Sequence, residues 1–403
     1  MIRSAVIALA VWLAAPAARA EPPAGADLRF LDRLTYGATT RDIDAYRRLG
    51  RDAWLREQLV YHGDDGLPSE AREAIAALRI SRLNPEEAAA ELRAMRTAAR
   101  GKSPAERADL QKRLRREFAA LDLETFQRRT IRALASPYPL QEQLTWFWFN
   151  HFNVFQNKKQ VRFLLPDYEE RAIRPHVLGK FRDLLRAVLM HPAMMVYLDN
   201  AQNVRGAINE NYARELMELH TLGVDGGYTQ ADVQALARIL TGAGVDLSPR
   251  PEGRRGDFVK VGLFAFHPGR HDAGAKTFLG ARFPGETGFS EIERALDLLC
   301  RHPATARFVS RKLAVYFLAD DPPAEVIDRM AEAFTRTDGD IARTLAALFS
   351  SPQFADPAAT PRKFKDPVQW VYSSIRLLYP DAVPANSRAL AGALAQLGEP
   401  VYG

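Results

Sequence analysis

NENYARELMELHTLGVDGGYTQ, residues Asn209–Gln230, holds a carboxylate-rich segment, a histidine, a glycine-rich turn and a new helix start within 22 residues. Asn209 is suited to cap a helix, because its short side chain can accept a hydrogen bond from a free N–H group of the first turn. Gly223 is a natural end, because glycine takes the left-handed conformation after a helix without steric cost. The stretch therefore predicts a helix over Glu210–Leu222.

This predicted helix has two unlike faces when its residues are placed about 100° apart. Asn211, Arg214, Glu215 and Glu218 share one face, and His220 lies in the middle of the apolar face. Glu215 and Glu218 are three residues apart, so their carboxylates are neighbours, and Arg214 favours their ionised forms. Such a polar arc is usually solvated, and such a histidine is usually a hydrogen-bonded core residue. The alternative is a helix surrounded by protein, whose buried charges need partners.

A second helix is expected directly after the glycine-rich turn that contains Tyr228. Thr229 and Asp232 resemble a capping box, with aspartate in place of the usual glutamate or glutamine. Apolar residues then recur at helical spacing as far as Gly242. The connectivity is helix–turn–helix, but the loop is long and no basic recognition face follows. DNA binding is therefore not predicted.

The first twenty residues predict export. Arg3 precedes an apolar run from Ala5 to Ala15, and Ala18-Arg19-Ala20 follows. This is the pattern of a secretory signal peptide over residues 1–20, cleaved after Ala20. No other stretch approaches the roughly 18 apolar residues that a membrane span needs. We therefore expect a periplasmic or secreted protein, residues 21–403, without a transmembrane segment in the mature chain.

Charge and cysteine content restrict the partners further. Loss of Arg3 and Arg19 with the signal peptide lowers the formal net charge from +6 to +4. That charge is mild for this length, so no nucleic-acid partner is predicted. Cys300 is the only cysteine, so the chain has no internal disulfide. Because it ends an apolar helical run, Cys300 is predicted to be buried and inert.

Helical periodicity along the rest of the chain predicts a mainly α protein, a multi-helix globular bundle in one domain over 21–403. Ser69–Arg100 and Ser103–Leu134 are rich in Ala, Glu and Arg, which predicts a long helical hairpin over 69–135. A small β-hairpin is expected near residues 258–280. In it, Phe258–Phe266 alternates like a strand and Thr277–Leu279 is its expected partner. Pro249–Gly256 is predicted to be a polar loop.

Two further segments carry candidate site residues. Asn150 and His151 lie in the aromatic helix Leu144–Phe155. His151 is either a hydrogen-bonded filler or an oriented base or metal ligand, and the local sequence does not decide between these. His267, His271 and Asp272 lie within six residues, with Lys276 beyond them. Two histidines and an aspartate have metal-ligand chemistry, but their spacing is not a known metal-binding signature. A polar turn held by Asp272 is the default interpretation.

The chain resembles the bacterial "domain of unknown function 1800" family. The matching segments are LDRLTYGAT (Leu31–Thr39), WFWFNHF (Trp146–Phe152), the central stretch Asn209–Gln230, HDAGAKTFLG (His271–Gly280), HPATARF (His302–Phe308) and DGDIARTLAALFSSPQF (Asp338–Phe354). The resemblance implies a mostly helical exported bacterial protein and brings no established reaction. Members are often encoded beside an exported family that looks like the alkaline phosphatase and sulfatase superfamily. That association implies such a partner, or a pathway acting on an extracytoplasmic polymer.

The sequence departs from this family pattern at two places. Ala243 stands where a tryptophan is expected. The chain also stops at LGEPVYG, Leu397–Gly403, where similar proteins run on through a Trp- and Pro-rich segment. We therefore expect a truncated C-terminus.

The leading functional hypothesis is a periplasmic hydrolase or other polymer-modifying enzyme with a His/Glu/Asp site. Its catalytic residues are Glu215 and Glu218 as general acid or base, His151 and His271 as bases, and Asp272 as the group that orients His271. Its substrate-binding residues are Asn150, Asn211, Arg214, Tyr228 and Lys276. A divalent metal, if present, is expected on His151, His271 and Asp272.

The alternative hypothesis is a non-catalytic binding or assembly protein that acts with an exported partner. The same residues then form a polar network that fixes helix packing, or Trp146, Trp148 and Tyr228 line a sugar-binding groove. The two hypotheses differ in one property. A catalytic site needs a perturbed ionisable group in an open cleft, whereas a structural network is closed and hydrogen-bonded.

Overall fold

A computed structural model describes residues 25–158, 161–246, 257–285, 287–355, 363–380 and 382–403. The predicted signal peptide and the predicted loop Pro249–Gly256 lie outside these residues. The described part of the chain contains nineteen α-helices and a few short antiparallel strands. This confirms the predicted mainly α fold with a small sheet. No helix among these residues is both long and apolar enough to cross a membrane.

The N-terminal half of the protein is built almost entirely from helices. In chain order they are α1 (Gly25–Leu34), α2 (Thr40–Leu49), α3 (Arg51–Gln58), α4 (Ser69–Ala77), α5 (Pro85–Ala98), α6 (Pro104–Ala135), α7 (Pro139–His151), α8 (Val161–Asp167), α9 (Phe181–Leu189) and α10 (Pro192–Tyr197). A π-helical segment, Tyr168–Ile173, follows α8, and short 3₁₀ turns connect several of the others.

The C-terminal half contains the remaining helices and all the strands found in the described residues. The helices are α11 (Asn211–Glu218), α12 (Gln230–Ile239), α13 (Ser290–Arg301), α14 (Pro303–Phe317), α15 (Ala324–Arg336), α16 (Ile341–Phe349), α17 (Pro352–Ala355), α18 (Pro367–Leu378) and α19 (Arg388–Gln396). The strands are β1 (Ala243–Val245), β2 (Val259–Val261), β3 (Phe264–Phe266), β4 (Lys276–Phe278) and β5 (Ala281–Phe283).

The central stretch folds close to the prediction at its start and differently at its end. Asn209 Oδ1 accepts a hydrogen bond from the Asn211 N–H at 3.0 Å, but the N-cap position of α11 is Glu210, one residue later than predicted, and its side chain makes no capping hydrogen bond. The prediction that the helix runs to Leu222 is wrong, because α11 ends at Glu218. The chain then widens into a turn in which the His220 N–H bonds to the Glu215 carbonyl, five residues back. Gly223, with φ of 83°, ends this turn.

The predicted hairpin over 69–135 has one continuous arm and one broken arm. Its second arm, α6, is a single helix of 32 residues that begins with a Ser103–Glu106 capping box. The first arm is divided between α4 and α5. Leu78 has extended backbone, and Asn84 caps a new helix that has Pro85 in its first turn. Because proline disfavours a helical residue before it, Asn84-Pro85 marks this break in the sequence.

The small sheet differs from the predicted hairpin in its pairing. Phe258–Phe266 is not one strand: β2 and β3 are separated by a two-residue turn at Gly262 and pair with each other, and β1 pairs with the other edge of β3. Thr277–Leu279 does not pair with β3. Instead β4 pairs with β5 across Leu279-Gly280, both with positive φ. This is the backbone of a two-residue hairpin turn.

Helix α7 lies in the main core and carries its largest side chains. Trp148 and Phe149 are fully buried, and Phe181 from α9 packs against the Trp148 ring. Beside this helix, the guanidinium of Arg129 lies 4.7 Å from the centre of the Trp146 ring and is paired with the buried Glu169. Tyr402 donates a hydrogen bond to Glu169 at 2.6 Å, which attaches the C-terminal segment to the core.

Cys300 is buried, as predicted, and burial raises the pKa of its thiol well above the ordinary value. Since the thiolate is the reactive form, we expect no reaction of the native protein with iodoacetamide at pH 8 over an hour. We expect complete reaction in about 6 M guanidinium, where the chain is unfolded. Intact-mass spectrometry measures both, and rapid labelling of the native protein would contradict the described burial.

Candidate functional site

The ends of α7 and α11 meet at two buried histidines. The His151 ring donates from Nε2 to the His220 carbonyl at 3.0 Å, since a carbonyl oxygen only accepts. The side chains are 5% and 4% exposed, respectively. The Nδ1 atoms of both rings are buried and have no hydrogen-bond partner among the described residues. His220, which the sequence placed on the apolar face, is therefore a core residue, but it is not fully hydrogen-bonded.

Both imidazoles are held in their neutral form. Burial lowers the pKa of His151 well below its usual range and lowers the pKa of His220 to about 3. Lys312 on α14 adds a smaller effect in the same direction on both rings. Burial also lowers the pKa of the Lys312 ammonium, which lies 5.4 Å from the centre of the Phe308 ring. In this small region, burial therefore disfavours the charged forms of three groups, the two imidazoles and the Lys312 side chain.

The polar face of α11 carries the two predicted carboxylates. Arg214 contacts Glu218 at 3.4 Å, Glu210 at 3.2 Å and the side-chain oxygen of Gln230 at 2.9 Å. These contacts join the start of α11 to the start of α12. Arg214 and its two glutamates are each only part-buried, so the group lies at the protein surface.

Glu215 and Glu218 have different surroundings, although they are neighbours on the helix. Glu218 is held by Arg214 and accepts a hydrogen bond from the Tyr228 hydroxyl; burial and this bond raise the pKa of Tyr228 to about 12. Glu215 is half-buried. Burial first, and the Glu218 carboxylate second, raise its pKa above the ordinary value of 4.5, against a smaller opposing effect of Arg214. Glu215 is therefore more easily protonated than an ordinary glutamate, whereas the neighbouring Glu218 carboxylate is held by the Arg214 cation.

A second cluster surrounds His271, at the start of the segment that leads to β4. His271 Nδ1 donates to the Thr241 carbonyl at 2.9 Å, and its Nε2 faces Glu291 Oε2 at 3.3 Å, out of hydrogen-bond alignment. The Lys276 ammonium donates to the same Glu291 oxygen at 2.6 Å. Lys276 and Glu291 have 0% side-chain exposure, so this is a fully buried ion pair.

Asp272 does not orient His271, which corrects the sequence prediction. Its carboxylate accepts two hydrogen bonds from Arg238 on α12, at 2.7 and 3.1 Å, and one from the Gly274 N–H. The bonds to Arg238 are the main reason that the pKa of Asp272 falls to about 2. The default interpretation of the sequence, a polar turn held by Asp272, describes this part of the structure.

The three proposed metal ligands are not brought together. Among the residues that the structure describes, no group of three or more His, Cys, Asp or Glu side chains is placed to hold a metal ion. The His151 ring is surrounded by Phe147, Trp148 and Phe152, while His271 contacts Phe266 and Thr241. The predicted set of His151, His271 and Asp272 therefore does not form one site.

The predicted substrate-binding residues fall into two groups. Asn150 and Asn211 are exposed, and Tyr228 is half-buried beside Glu218, so these side chains are accessible. Lys276 is buried in its pair with Glu291 and is not accessible. The predicted sugar-binding groove of Trp146, Trp148 and Tyr228 is wrong for the tryptophans, because both are buried in the core.

Three residues of these clusters were missed in the sequence. Arg238 and Lys312 interact with residues that are distant in the sequence. No local sequence pattern predicts such contacts. Glu291 did leave a signal: it shares the buried face of α13 with Ala295 and Leu299, at four-residue spacing. A carboxylate in an apolar arc indicates a buried acid that needs a partner.

The fold and these clusters define a mainly α-helical protein with an accessible carboxylate pair on α11 and a separate, closed ion cluster around His271. The chain belongs to the family described as "Protein of unknown function (DUF1800)", whose family model matches residues 29–403. This confirms the family resemblance over nearly the whole chain. Comparison with curated proteins and with solved structures finds no match.

Proposed function

We propose that this protein is an exported hydrolase, or another polymer-modifying enzyme, that works by general acid–base catalysis on the polar face of α11. One observation carries the proposal: Glu215 and Glu218 are adjacent, yet their environments differ. Burial and a like charge favour the protonated form of Glu215, whereas Arg214 and the Tyr228 hydroxyl stabilise the Glu218 carboxylate. A carboxyl whose protonated form is favoured, beside a carboxylate held by a cation, is characteristic of acid and base pairs.

The proposed roles follow from these surroundings. Glu218, the ionised carboxylate, is the general base, which takes a proton from the water that attacks the acyl carbon, and Glu215 is the general acid, which donates its proton to the alcohol oxygen that leaves. Both carboxyls lie on one helix face, which is a poor arrangement for cleaving a glycosidic bond from opposite sides. Ester or acyl linkages on a polymer are therefore the preferred substrate class.

The accessible residues around this pair support binding of a polar substrate. Asn211 is exposed at the start of α11, and its side-chain N–H donates to the Leu198 carbonyl at 3.1 Å. Asn150 is exposed at the end of α7, which the His151 contact joins to the end of α11. His151 and His271 are less than a tenth exposed, so we assign them positioning roles rather than proton transfer.

A Glu215→Gln variant tests the proposal. The amide keeps the shape of the side chain but cannot donate a proton as an acid, so we expect turnover to fall roughly 100-fold, the lower end for general acid catalysis. The substrates are chromogenic esters and O-acetylated polysaccharides. Wild-type activity is expected to decline as the pH rises through the pKa of Glu215, because only the protonated form donates.

Glu332→Gln is the matched control, since it makes the same chemical change at an exposed position on α15. We expect it to leave turnover unchanged. Activity on this panel that survives intact in Glu215→Gln would reject Glu215 as the acid.

The closed cluster around His271 favours a second candidate, a non-catalytic binding or assembly protein. Lys276 and Glu291 are fully buried and paired with each other, as expected for a structural network and not for an open site. This candidate predicts no turnover on any substrate of the panel. It also predicts a stable complex with an exported phosphatase- or sulfatase-like partner, measurable by co-purification of the two proteins.

A further inference from the structure

A groove of about 560 Å³ runs between α5 and α6. Its wall is mostly apolar, and the apolar side chains include Leu110, Leu114, Phe118 and Leu121 from α6 and Ala88 and Met95 from α5. The proposed acid–base pair uses none of the residues that line this groove. Its volume lies within the roughly 300–1,000 Å³ of small-molecule sites, so the groove can hold a ligand.

The wall that α6 contributes is one long apolar stripe. Its residues recur at three- and four-residue spacing, and those on the first three turns, Leu110, Leu114 and Phe118, are only half-buried. From Leu110 to Leu121 the helix rises by about 16 Å. This is about half of the roughly 30 Å hydrocarbon core of a bilayer, so the stripe has the length of one acyl chain in one leaflet.

The positive charge of the chain is concentrated on the same part of α6. Residues 107–116 contain five basic side chains and one acidic side chain, a net charge of +4, in a chain whose formal net charge is +6. Lys112, Arg115 and Arg116 are all exposed. They lie on the turns of α6 that form the groove wall, so the rim of the groove lies in a positive potential.

Two arginines lie at the groove itself, Arg79 and Arg113. Arg79 pairs with Glu117 at 2.6 Å, and Arg113 pairs with Asp109 at 3.1 Å. The arginine side chains are 48% and 69% exposed, respectively. Because such surface pairs contribute little to stability, a phosphate group can take the place of the carboxylates. A guanidinium binds phosphate oxygens through two parallel hydrogen bonds.

An anionic phospholipid has both of the parts that this site would recognise, an apolar chain and a negatively charged phosphate. A single acyl chain gives only weak, reversible attachment between a protein and a membrane, whereas an acyl chain combined with a basic patch gives stable attachment. An acidic polymer matches the basic side chains but has no apolar chain to fill the groove. The combination of groove and charge therefore favours the lipid.

We propose that the groove between α5 and α6 binds one acyl chain of an anionic phospholipid and thereby docks the protein on an anionic membrane surface. The phosphate of the lipid contacts Arg79 and Arg113. Lys112, Arg115 and Arg116 attract the surrounding anionic headgroups. This site is distinct from the acid–base pair on α11, and it holds the protein at a membrane surface whether or not that pair is catalytic.

Flotation of the full mature chain with lipid vesicles tests the proposal. The vesicles contain phosphatidylcholine alone, or phosphatidylcholine with about 30% phosphatidylglycerol, which carries the negative charge. We expect an at least 10-fold larger bound fraction on the anionic vesicles, and weaker binding in about 0.5 M salt. Equal binding to both kinds of vesicle, or binding to neither, would overturn the proposal.

Variants of the groove test the role of the acyl chain. Ala88→Phe fills the groove without changing the charge, and we expect the bound fraction to fall about 10-fold. Leu114→Gln places an amide in the half-exposed wall and is expected to weaken binding several-fold, which keeps the test decisive if circular dichroism shows that Ala88→Phe is misfolded. Ala324→Phe is the control, because it makes the same change at the exposed first residue of α15.

A double variant, Arg113→Gln with Arg116→Gln, tests the charge. Both side chains are exposed, so the fold should persist, and we expect the bound fraction to fall about 10-fold. The control is Arg301→Gln with Arg307→Gln, which removes the same charge from side chains that are 69% and 56% exposed. Equal weakening by this control would overturn the assignment to α6.

The two sets of variants together distinguish a lipid from an acidic polymer or protein. Wild-type binding by both groove variants, together with loss in the charge variant, would show that α6 binds anions without an acyl chain and would overturn the lipid proposal. Glu215→Gln is expected to bind the vesicles like the wild type. Failure of the proposed catalytic function therefore leaves this test unaffected.

Discussion

Replacing Glu291 with leucine is expected to lower the free energy of unfolding by about 3–5 kcal/mol, because it leaves the buried Lys276 ammonium without its carboxylate. The two side chains have 0% exposure and their charged atoms are 2.6 Å apart. The other contacts of Lys276 and Glu291 are weaker substitutes: Lys276 donates to the Asp272 carbonyl, and Thr287 contacts the far Glu291 oxygen at 3.3 Å. Urea unfolding followed by tryptophan fluorescence measures the change.

Two further variants separate the unpaired charge from simple loss of a contact. Lys276→Met combined with Glu291→Leu removes both charges, and we expect it to regain most of the lost stability, because apolar residues of similar size replace a buried pair well. Asp328→Ala breaks the exposed pair with Arg307 on the surface and should cost less than about 1 kcal/mol. A Glu291→Leu variant no less stable than Asp328→Ala would show that the pair is not buried in solution.

This ion pair illustrates what sequence reasoning could and could not supply for the site. The contacts of Arg214 with Glu210 and Glu218 are one helical turn apart, so periodicity alone predicts them. Arg238 and Asp272 are 34 residues apart, and Lys276 and Glu291 are 15 apart. Those pairs depend on how α12, β4 and α13 pack together, and the local sequence pattern does not predict this packing. The sequence therefore identified Asp272 and Lys276 but missed their partners Arg238 and Glu291, and it assigned Asp272 the wrong partner.

The same difference between local and long-range contacts explains which parts of the fold were predicted. Helix starts with a local chemical cause were found, as at the Thr229–Asp232 capping box. The early end of α11 was missed because no local signal marks the wide turn that follows it, in which the His220 N–H bonds to the Glu215 carbonyl and the Leu222 N–H to the Met217 carbonyl. The pairing of β3 with β1 was missed for a similar reason, since β1 has only three residues. Short elements are defined by their neighbours rather than by their own sequence.

The stability of the protein is expected to fall as the pH drops below about 6.5, and His151 and His220 should account for a large part of the fall. The ordinary histidine pKa is 6.5, whereas burial lowers that of His220 to about 3 and that of His151 well below its usual range. Between these values the unfolded chain binds protons that the folded protein does not. Each histidine therefore removes about 1.4 kcal/mol of stability per pH unit as the pH falls from about 6.5 toward its folded pKa.

His220→Leu isolates this contribution, because leucine has a similar size, does not titrate and keeps the carbonyl that His151 contacts. The total curve also contains groups of opposite sign: burial raises the pKa of Glu399 to about 7, so that carboxyl favours the folded state as the pH falls. The informative quantity is therefore the difference between wild type and variant, measured by urea unfolding at several pH values from 7.5 to 5.

We expect the wild type to lose about 1.4 kcal/mol more per pH unit than His220→Leu below pH 6.5. Lys312→Met is the control. Because burial, not Lys312, is the main cause of the low histidine pKa values, this variant should keep the wild-type slope. Equal slopes for wild type and His220→Leu would mean that the His220 imidazole is accessible to protons in the folded protein. The junction of α7 and α11 would then be an open site, and His220 would join Glu215 as a candidate for proton transfer.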